Sequence, residues 1–403
     1  MNGYIDLFTS YKNSGVVFLD SASTTQKPDI VIESAKQHLC NLAVNPGKGN
    51  YDPSLKLYND IENTRRTVAK FINSEENEII FTSGATESCS IVAHSWGLHN
   101  LQDGDEILVC LDDHESTIKP WFYIQKLFAA QSKNIVIKPY NRDKYLGGVD
   151  VYSLEKQLTD KTKLIIATHV HNLYGAITDV KSIRNIAGSN IPIFFDVSQS
   201  ISHLKIDVKD LEVDFMAFSG HKMFALSGIG VLFVKKQFHS VLSHFMMIES
   251  SLTSIQHFTN LSQNTELPKV LETGTKNVLG IISLNSAINF ILKIGYNGIR
   301  SYVSYLTDYL YKKLVDLEFI EFLPGYAFNN STASYGIISF RVNGYDSRDI
   351  ADLLSQNKIY VRAGDHCVFK GDNYLKDSIR VSLHIYNTYQ DIDRLAECLK
   401  QIQ

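Results

Sequence analysis

Residues 164–168 read LIIAT and residues 191–195 read IPIFF, and both runs are apolar at consecutive positions. A strand with one face in water alternates apolar and polar residues, whereas a strand that is covered on both faces does not. The two runs therefore predict neighbouring strands of a parallel sheet with helices packed on each side. They indicate an α/β fold.

Similar apolar runs occur on both sides of this pair along the chain. They lie at residues 78–81, 106–111, 134–137, 215–218 and 230–234. Stretches with helix-like spacing of apolar residues separate several of them, at residues 86–98, 118–130 and 153–158. This βαβ rhythm predicts an open, mostly parallel sheet, in which ligands bind at the carboxyl ends of the strands.

The pattern changes after about residue 272. The elements expected there are two helices, two strands and a closing helix, at residues 277–294, 298–317, 333–342, 358–362 and 389–401. We predict a large α/β domain at residues 15–272 and a small α+β domain formed by residues 1–14 and 273–403. Residues 250–268 are polar and without a clear pattern, and they are predicted to form a mobile loop.

Composition and charge favour a globular protein that binds small molecules. With 403 residues the chain is long enough for two cores, and its formal charge of -4 gives no positive field for nucleic acid or acidic lipid. No apolar run approaches the ~18 residues of a membrane span, and the first residues lack the zones of a signal peptide, so we expect a cytoplasmic protein. The five cysteines form no C-x-x-C pair, which favours free thiols over disulfides or a zinc site.

Two charged residues stand directly after predicted strands. Asp196 follows the run IPIFF, and Lys222 follows the run at 215–218, in the segment SGHKM. A buried carboxylate needs a cationic partner or several hydrogen bonds, although an Asp at a strand end also serves as a helix cap. A lysine in such a place can lose its charge by desolvation and become nucleophilic.

A third segment, TSGATE at residues 82–87, follows a predicted strand and opens a helix. Its small residues allow N–H groups and hydroxyls to converge on an anion such as phosphate. A simple capped turn explains the same residues equally well. A nucleotide-binding sheet is disfavoured, because no G-x-G-x-x-G or G-x-x-x-x-G-K-[ST] loop follows any strand.

In their order along the chain, these and other motifs resemble the class V aminotransferase family of pyridoxal 5'-phosphate (PLP) enzymes, and within it the cysteine desulfurases and selenocysteine lyases. The resemblance covers nearly the whole chain. The matching segments are FLDSASTT at 18–25, GATE at 84–87, DHES at 113–116, HNLYG at 171–175, DVSQ at 196–199, SGHK at 219–222 and ETGT at 272–275. The resemblance implies the type I fold of PLP-dependent transferases, with PLP as cofactor.

The resemblance also assigns roles to matching residues. Lys222 matches the lysine that holds PLP as a Schiff base, and Asp196 matches the partner of the pyridine nitrogen. His114 matches the histidine that stacks on the ring and moves protons, and Arg380 matches the arginine that binds the substrate carboxylate. Further matches concern the ring hydroxyl (Asn172, Gln199), the phosphate (Ala85, Thr86, Ser219, His221) and the phosphate of a neighbouring subunit (Thr275). The last match implies a homodimer.

Segment 361–367, VRAGDHC, resembles the R-x-G-x-x-C segment that carries the sulfur-accepting cysteine of desulfurases. The resemblance implies that L-cysteine displaces Lys222 from PLP, that Lys222 then removes the Cα proton, and that Cys367 attacks the substrate sulfur. Alanine leaves, and the persulfide on Cys367 passes its sulfur to an acceptor protein. Arg362 and His366 are expected to favour the thiolate, and Arg362 and Asn172 are also expected near the substrate.

Three segments depart from the family pattern. NPGKG at 45–49 replaces the usual His-Arg-Gly segment, Glu115 stands where a second histidine or a small polar residue is common, and residues 246–251 (MMIESS) lack the expected glycines. His169 and His171 are expected either to line the site or to be structural.

Two alternatives stay open. One is another class V PLP enzyme, such as an aminotransferase, an epimerase or a C–S or selenocysteine lyase, acting on a different amino acid. The other is a non-catalytic PLP-binding scaffold, which would be expected to have lost Lys222, His114 or Arg380. All three residues are present.

Overall fold

The computed structural model describes residues 3–47, 49–242, 267–272, 274–324, 335–369 and 377–402. Its strands are, in chain order, β1 Val17–Phe18, β2 Ile79–Thr82, β3 Glu106–Cys110, β4 Val136–Tyr140, β5 Thr162–Thr168, β6 Ile193–Asp196, β7 Phe215–Ser219, β8 Gly230–Val234, β9 Ile320–Phe322, β10 Ile337–Val342, β11 Ile359–Tyr360, β12 Arg362–Gly364 and β13 Ser378–Ser382. Its α-helices are α1 Thr9–Lys12, α2 Asp29–Cys40, α3 Asp52–Ile72, α4 Ala85–Ile91, α5 Leu98–Asn100, α6 Glu115–Ala129, α7 Val151–Gln157, α8 Val180–Ala187, α9 Leu267–Leu271, α10 Val278–Ile294, α11 Tyr296–Val315, α12 Ser347–Gln356 and α13 Tyr389–Lys400. A π-helical stretch, Val92–Gly97, joins α4 to α5.

The central sheet has seven strands in the order β2-β8-β7-β6-β5-β3-β4. Strand β8 runs antiparallel to both of its neighbours, and every other neighbouring pair is parallel. Each of the seven strands lies where an apolar run predicted one. The predicted α/β fold with a mostly parallel sheet is therefore confirmed.

Strand β5 shows why its sequence does not alternate. Leu164 and Ile166 are buried in the core on one face of the sheet, and Ile165 and Ala167 are buried in the core on the other face. Both faces of the strand are covered, so every position is apolar. Burying one such Leu or Ile side chain stabilises the fold by about 1.5–3 kcal/mol.

A second sheet of four antiparallel strands has the order β12-β13-β10-β9. Helices α11, α12 and α13 contribute Leu310, Leu354 and Leu395 to the core beneath it, which also contains Phe340 of β10 and Val381 of β13. The predicted α+β character of the C-terminal part is confirmed. Residues 333 and 334 of its predicted first strand lie outside the described residues, and β10 begins at Ile337.

The predicted division into two domains stays a prediction. The packing of the helix after residue 272 shows that residues beyond the predicted boundary also contact the large domain. Helix α10 follows residue 272, yet it packs against α2 and α3 on the large sheet, where Ile281 and Leu284 are buried. Most of the predicted loop at 250–268 falls outside the described residues, and its last two residues begin α9.

Among the described residues, no single helix combines the length and the apolar composition that crossing a membrane requires. Helices α10 and α11 meet these criteria only as a pair, and they are bent by 79° to one another.

Candidate active site

The candidate site lies at the carboxyl edge of the central sheet, where β6 and β7 end, and it faces the small sheet. A cavity of ≈ 200 Å³ lies between them. Its lining contains all the predicted site residues except Cys367 and Thr275: Ala85, Thr86, His114, Asn172, Asp196, Gln199, Ser219, His221, Lys222, Arg362 and Arg380. The fold thus brings together residues from widely separated motifs, although their individual roles stay predictions.

Asp196 is the last residue of β6, and it is buried and lines the cavity. Its Oδ1 accepts a hydrogen bond from the backbone N–H of Ser198 at 2.8 Å. Gln199, one residue farther on, donates from Nε2 to the carbonyl oxygen of Ala22 at 2.8 Å. The buried carboxylate can therefore bind a cationic ring nitrogen.

Lys222 ends a single 3₁₀ turn, Gly220–Lys222, directly after β7. The turn is tightly packed, because a Cβ on Gly220 would lie 2.8 Å from Cγ2 of Ile229. Burial lowers the pKa of Lys222, and the carboxylate of Asp196 opposes this shift only in part. A neutral, nucleophilic amine is thereby favoured at this position.

The segment before α2 holds the lysine turn in place, and sequence reasoning missed this function. The carbonyl oxygen of His221 accepts hydrogen bonds from Nζ of Lys27 and from the backbone N–H of Thr25, each at 3.0 Å. Thr25 Oγ1 also accepts from the N–H of Phe224 at 2.8 Å. Burial lowers the pKa of Lys27 to about 8. Thr25 belongs to the segment FLDSASTT, which resembles the family pattern, but the resemblance assigned no role to this residue.

The predicted phosphate cradle is formed by β7 and the start of α4. The backbone N–H of Ala85 donates to Ser219 Oγ at 2.9 Å, and Thr86 and His221 line the same cavity. Burial, together with the neighbouring Lys222 and Lys27, lowers the pKa of His221 to about 4. The ring is therefore neutral near pH 7, so the predicted contact with a phosphate would be a hydrogen bond and not an ion pair.

His114 is the N-cap residue of α6, and its Nδ1 accepts from the N–H of Ser116 at 3.2 Å. Burial lowers the pKa of His114 to about 4; the charge of Lys222 acts in the same direction, and Asp196 opposes it. The ring is neutral near pH 7, and since a backbone donor occupies Nδ1, its proton is on Nε2. Ser116 lines the cavity and orients this ring, a function that the sequence did not reveal.

Arg380 lies on β13 and reaches the cavity from the small sheet. Its Nη2 donates to Asp20 Oδ1 and to Ser23 Oγ, each at 2.8 Å, and its Nη1 donates to the carbonyl oxygen of Asn172 at 3.0 Å. Burial lowers the pKa of Arg380, although Asp20 opposes the shift. These contacts hold a buried cation at the wall of the cavity, which suits a carboxylate ligand.

Cys367 lies outside the cavity lining, but its neighbours lie inside it. Nη2 of Arg362 donates to Cys367 Sγ at 3.0 Å, and the carbonyl oxygen of His366 accepts from Asn172 Nδ2 at 2.9 Å. The permanent charge of a guanidinium group thus lies beside the sulfur. His366 was expected to act with Arg362 on this thiol, but its ring supplies no positive charge, because burial lowers the pKa of the ring to about 3 and keeps it neutral.

Thr275 is exposed and lines a different cavity, together with Ser83 and Glu87. The contact of Thr275 with the phosphate in a neighbouring subunit stays a prediction.

His169 and His171 have structural roles: His169 Nδ1 lies 3.0 Å from Ser200 Oγ, and His171 Nε2 lies 2.8 Å from the carbonyl oxygen of Asp112.

PLP fits the residues that line the cavity. Within the described part of the chain, Asn172 Oδ1, Ser198 Oγ and Arg380 Nε are buried without a hydrogen-bond partner, and all three residues line the cavity. Unpaired buried polar atoms are costly, so a polar ligand belongs here. The amine of Lys222, the buried carboxylate of Asp196 and the predicted anion cradle match the aldehyde, the ring nitrogen and the phosphate of PLP.

A lysine-bearing turn and a carboxylate at the edge of an α/β sheet define a class of PLP-dependent enzymes. The chain belongs to the class V aminotransferase family, because the family model described as Aminotransferase class-V matches residues 17–395. This result confirms the resemblance that the ordered motifs indicated.

Individual relatives agree with the family assignment. The chain is 35% identical, over 394 residues, to a probable cysteine desulfurase of Halalkalibacterium halodurans, covering 96% of this chain and 93% of the relative. It is 31% identical over 401 residues to a cysteine desulfurase of Wigglesworthia glossinidia brevipalpis, covering 97% of this chain and 93% of the relative.

Solved structures share the architecture. The apo cysteine desulfurase of Thermococcus onnurineus superposes with a TM-score of 0.90 at 28% identity, covering 100% of this chain and 98% of that one. The cysteine desulfurase CsdA of Escherichia coli gives a TM-score of 0.85 at 26% identity, covering 99% and 97%. The predicted fold, that of PLP-dependent transferases, is confirmed.

Proposed function

We propose that the protein is a PLP-dependent cysteine desulfurase, which converts L-cysteine to L-alanine and retains the sulfur as a persulfide on Cys367. The hydrogen bond between Arg362 and Cys367 carries this proposal. Arg362 lines the cavity that contains Lys222, and its Nη2 lies 3.0 Å from Cys367 Sγ. The thiol is thus held at the rim of the cavity, beside a cation. The relatives named cysteine desulfurase support the same activity.

The substrate is bound and deprotonated by groups that the cavity already holds. Arg380 binds the carboxylate, because its buried guanidinium lies at the cavity wall. Lys222 accepts the Cα proton, since burial favours its neutral amine. Bound PLP supplies the electron sink that makes this proton acidic. His114, whose Nε2 carries the proton, is available in the same cavity for proton transfer.

Cys367 performs the sulfur transfer. Its thiolate attacks the substrate sulfur, so that an S–S bond forms while the Cβ–S bond breaks. The electron pair of the broken bond stays with the carbon skeleton, which takes up a proton and leaves as alanine. Arg362 donates a hydrogen bond to this sulfur and orients it before the attack.

The test is the release of alanine and of sulfide, with a reductant, from L-cysteine. Wild type should form both products. Cys367→Ser should keep the yellow cofactor absorbance and lose turnover, whereas Lys222→Ala should lose that absorbance. Cys40→Ser is the matched control, because Cys40 is an exposed thiol on α2, and it should behave as wild type. A fully active Cys367→Ser would refute the role of this thiol.

A second candidate is a class V C–S lyase or selenocysteine lyase that needs no cysteine nucleophile. One observation favours it: Cys367 is not among the residues that line the cavity. This candidate predicts that Cys367→Ser retains activity, so the experiment above separates the two functions.

The remaining parts of the proposal are a homodimer, a sulfur-acceptor protein and a cytoplasmic location. Thr275 is exposed and does not line the cavity that contains Lys222 of its own chain. It is therefore accessible to a second subunit, which supports the dimer. Sedimentation of the purified protein tests it, and a monomer would contradict it.

A further inference from the structure

The Cys367 segment is joined to the segment that carries His114 by backbone hydrogen bonds. The N–H of Glu115 donates to the carbonyl oxygen of Cys367 at 2.9 Å, and the N–H of Phe369 donates to that of Asp113 at 3.1 Å. His114 and Val368 form an antiparallel bridge between these two bonds. The predicted nucleophile and the predicted ring-stacking histidine are therefore parts of one local structure.

The backbone of the Cys367 segment is strained. His366 has a φ of 52° and Cys367 a φ of 58°, in the left-handed region that residues with a Cβ seldom adopt. Two consecutive residues in this region persist only where surrounding contacts determine the conformation. Val368 supplies one such contact, because it is buried in a small cluster with Leu173 and Tyr174.

An aromatic pair supplies the other contact. The rings of Phe122 and Phe369 are stacked, with centroids 5.1 Å apart and planes 18° from parallel. Phe122 lies on α6, the helix that His114 caps, so the ring is fixed to a rigid element. Neither phenylalanine lines the cavity, and neither belongs to a motif that the sequence singled out.

We propose that Phe122 is a positioning residue for Cys367. Its ring holds Phe369, and thereby keeps the strained segment 366–369 paired with residues 113–115 and keeps Cys367 Sγ beside Arg362. The inference rests on the proposed function, because it assigns Phe122 to the sulfur-transfer step. Cofactor binding and substrate binding do not involve this ring.

The first measurement is hydrogen exchange on the purified protein with its cofactor, followed in peptides that cover residues 113–115 and 366–369. Phe122→Ala should raise the exchange rate there by roughly two- to tenfold, the range that loss of one aromatic pair supports. Phe122→Tyr keeps the ring and should restore protection. Tyr123→Ala is the matched control, because Tyr123 is the adjacent aromatic residue of the same helix and is exposed.

The second measurement is persulfide formation on Cys367 in a single turnover with L-cysteine, read by mass spectrometry. Phe122→Ala should slow it by roughly tenfold or more, because a small displacement of a reacting group costs rate. KM and the cofactor absorbance should not change, and Phe122→Tyr should restore the rate.

Unchanged exchange in Phe122→Ala overturns the inference, and so does faster exchange with an unchanged rate of persulfide formation. If wild type forms no persulfide, the proposed function fails instead. In that case the hydrogen-exchange measurement by itself shows whether Phe122 holds residues 366–369 in place.

Discussion

Replacing Arg362 by alanine should slow the formation of a persulfide on Cys367. Nη2 of Arg362 donates to Cys367 Sγ at 3.0 Å, and Nη1 donates to Ser23 Oγ at 3.2 Å. A hydrogen bond to a charged group contributes about 1.5–3 kcal/mol. Arg362 is only half-buried, and solvent screening holds the effect near the lower end of this range. We therefore expect a decrease of roughly 10- to 30-fold in the rate.

The assay is a single turnover with L-cysteine that is quenched by an alkylating agent, after which the peptide that contains Cys367 is weighed. Arg362→Lys keeps the charge but not the planar fork, so its rate should fall between those of wild type and Arg362→Ala. Arg66→Ala is the control, because Arg66 is exposed on α3 and bonds only to Asn63 among the described residues. A wild-type rate in Arg362→Ala would refute the reasoning.

Three further predictions concern the cofactor, the core and acid stability. Asp196→Asn should weaken PLP binding by about tenfold or more in an absorbance titration, because the ring nitrogen loses its anionic partner; an unchanged affinity would contradict this role. Glu272→Gln should lower the free energy of unfolding by roughly 1.5–3 kcal/mol in urea, since the buried Arg65 loses a bidentate charged partner but keeps its pair with Glu62. Glu33→Gln on the surface should have little effect. Stability should fall as the pH drops from about 6.5 toward 4, since the unfolded chain binds protons there and the buried histidines do not; a constant urea midpoint between pH 7 and 5 would count against this linkage.

The sign of the acid effect follows from depressed pKa values. Burial lowers the pKa of His169 and His203 to about 4 and that of His171 to about 3, so these rings stay neutral in the folded protein while they charge in the unfolded chain. The contribution of these histidines to the stability of the folded protein is complete above their pKa in the unfolded chain. It is lost as the pH falls through their lower pKa in the folded protein. Asp113 acts in the opposite direction, because burial raises its pKa to about 6, despite the attraction of Arg142.

The sequence was sufficient to predict the central sheet and the chemical groups of the site. Runs such as LIIAT are apolar at every position because Leu164 and Ile165 face different cores, and this pattern is local to the chain. Asp196 and Lys222 could be singled out for a similar reason: each stands directly after a strand, where the sheet topology places ligands.

Tertiary structure alone decided how the segments are held together. The donation from Lys27 to the carbonyl oxygen of His221 joins positions 194 residues apart, and no periodicity encodes it. The neutral state of His366 follows from burial by the fold, which the sequence, showing only a histidine beside a cysteine, does not reveal. The pairing of Phe122 with Phe369 likewise arises only when α6 meets the Cys367 segment. Contacts between distant positions depend on the whole fold, whereas a strand and the polar residue at its end depend on neighbours in the chain.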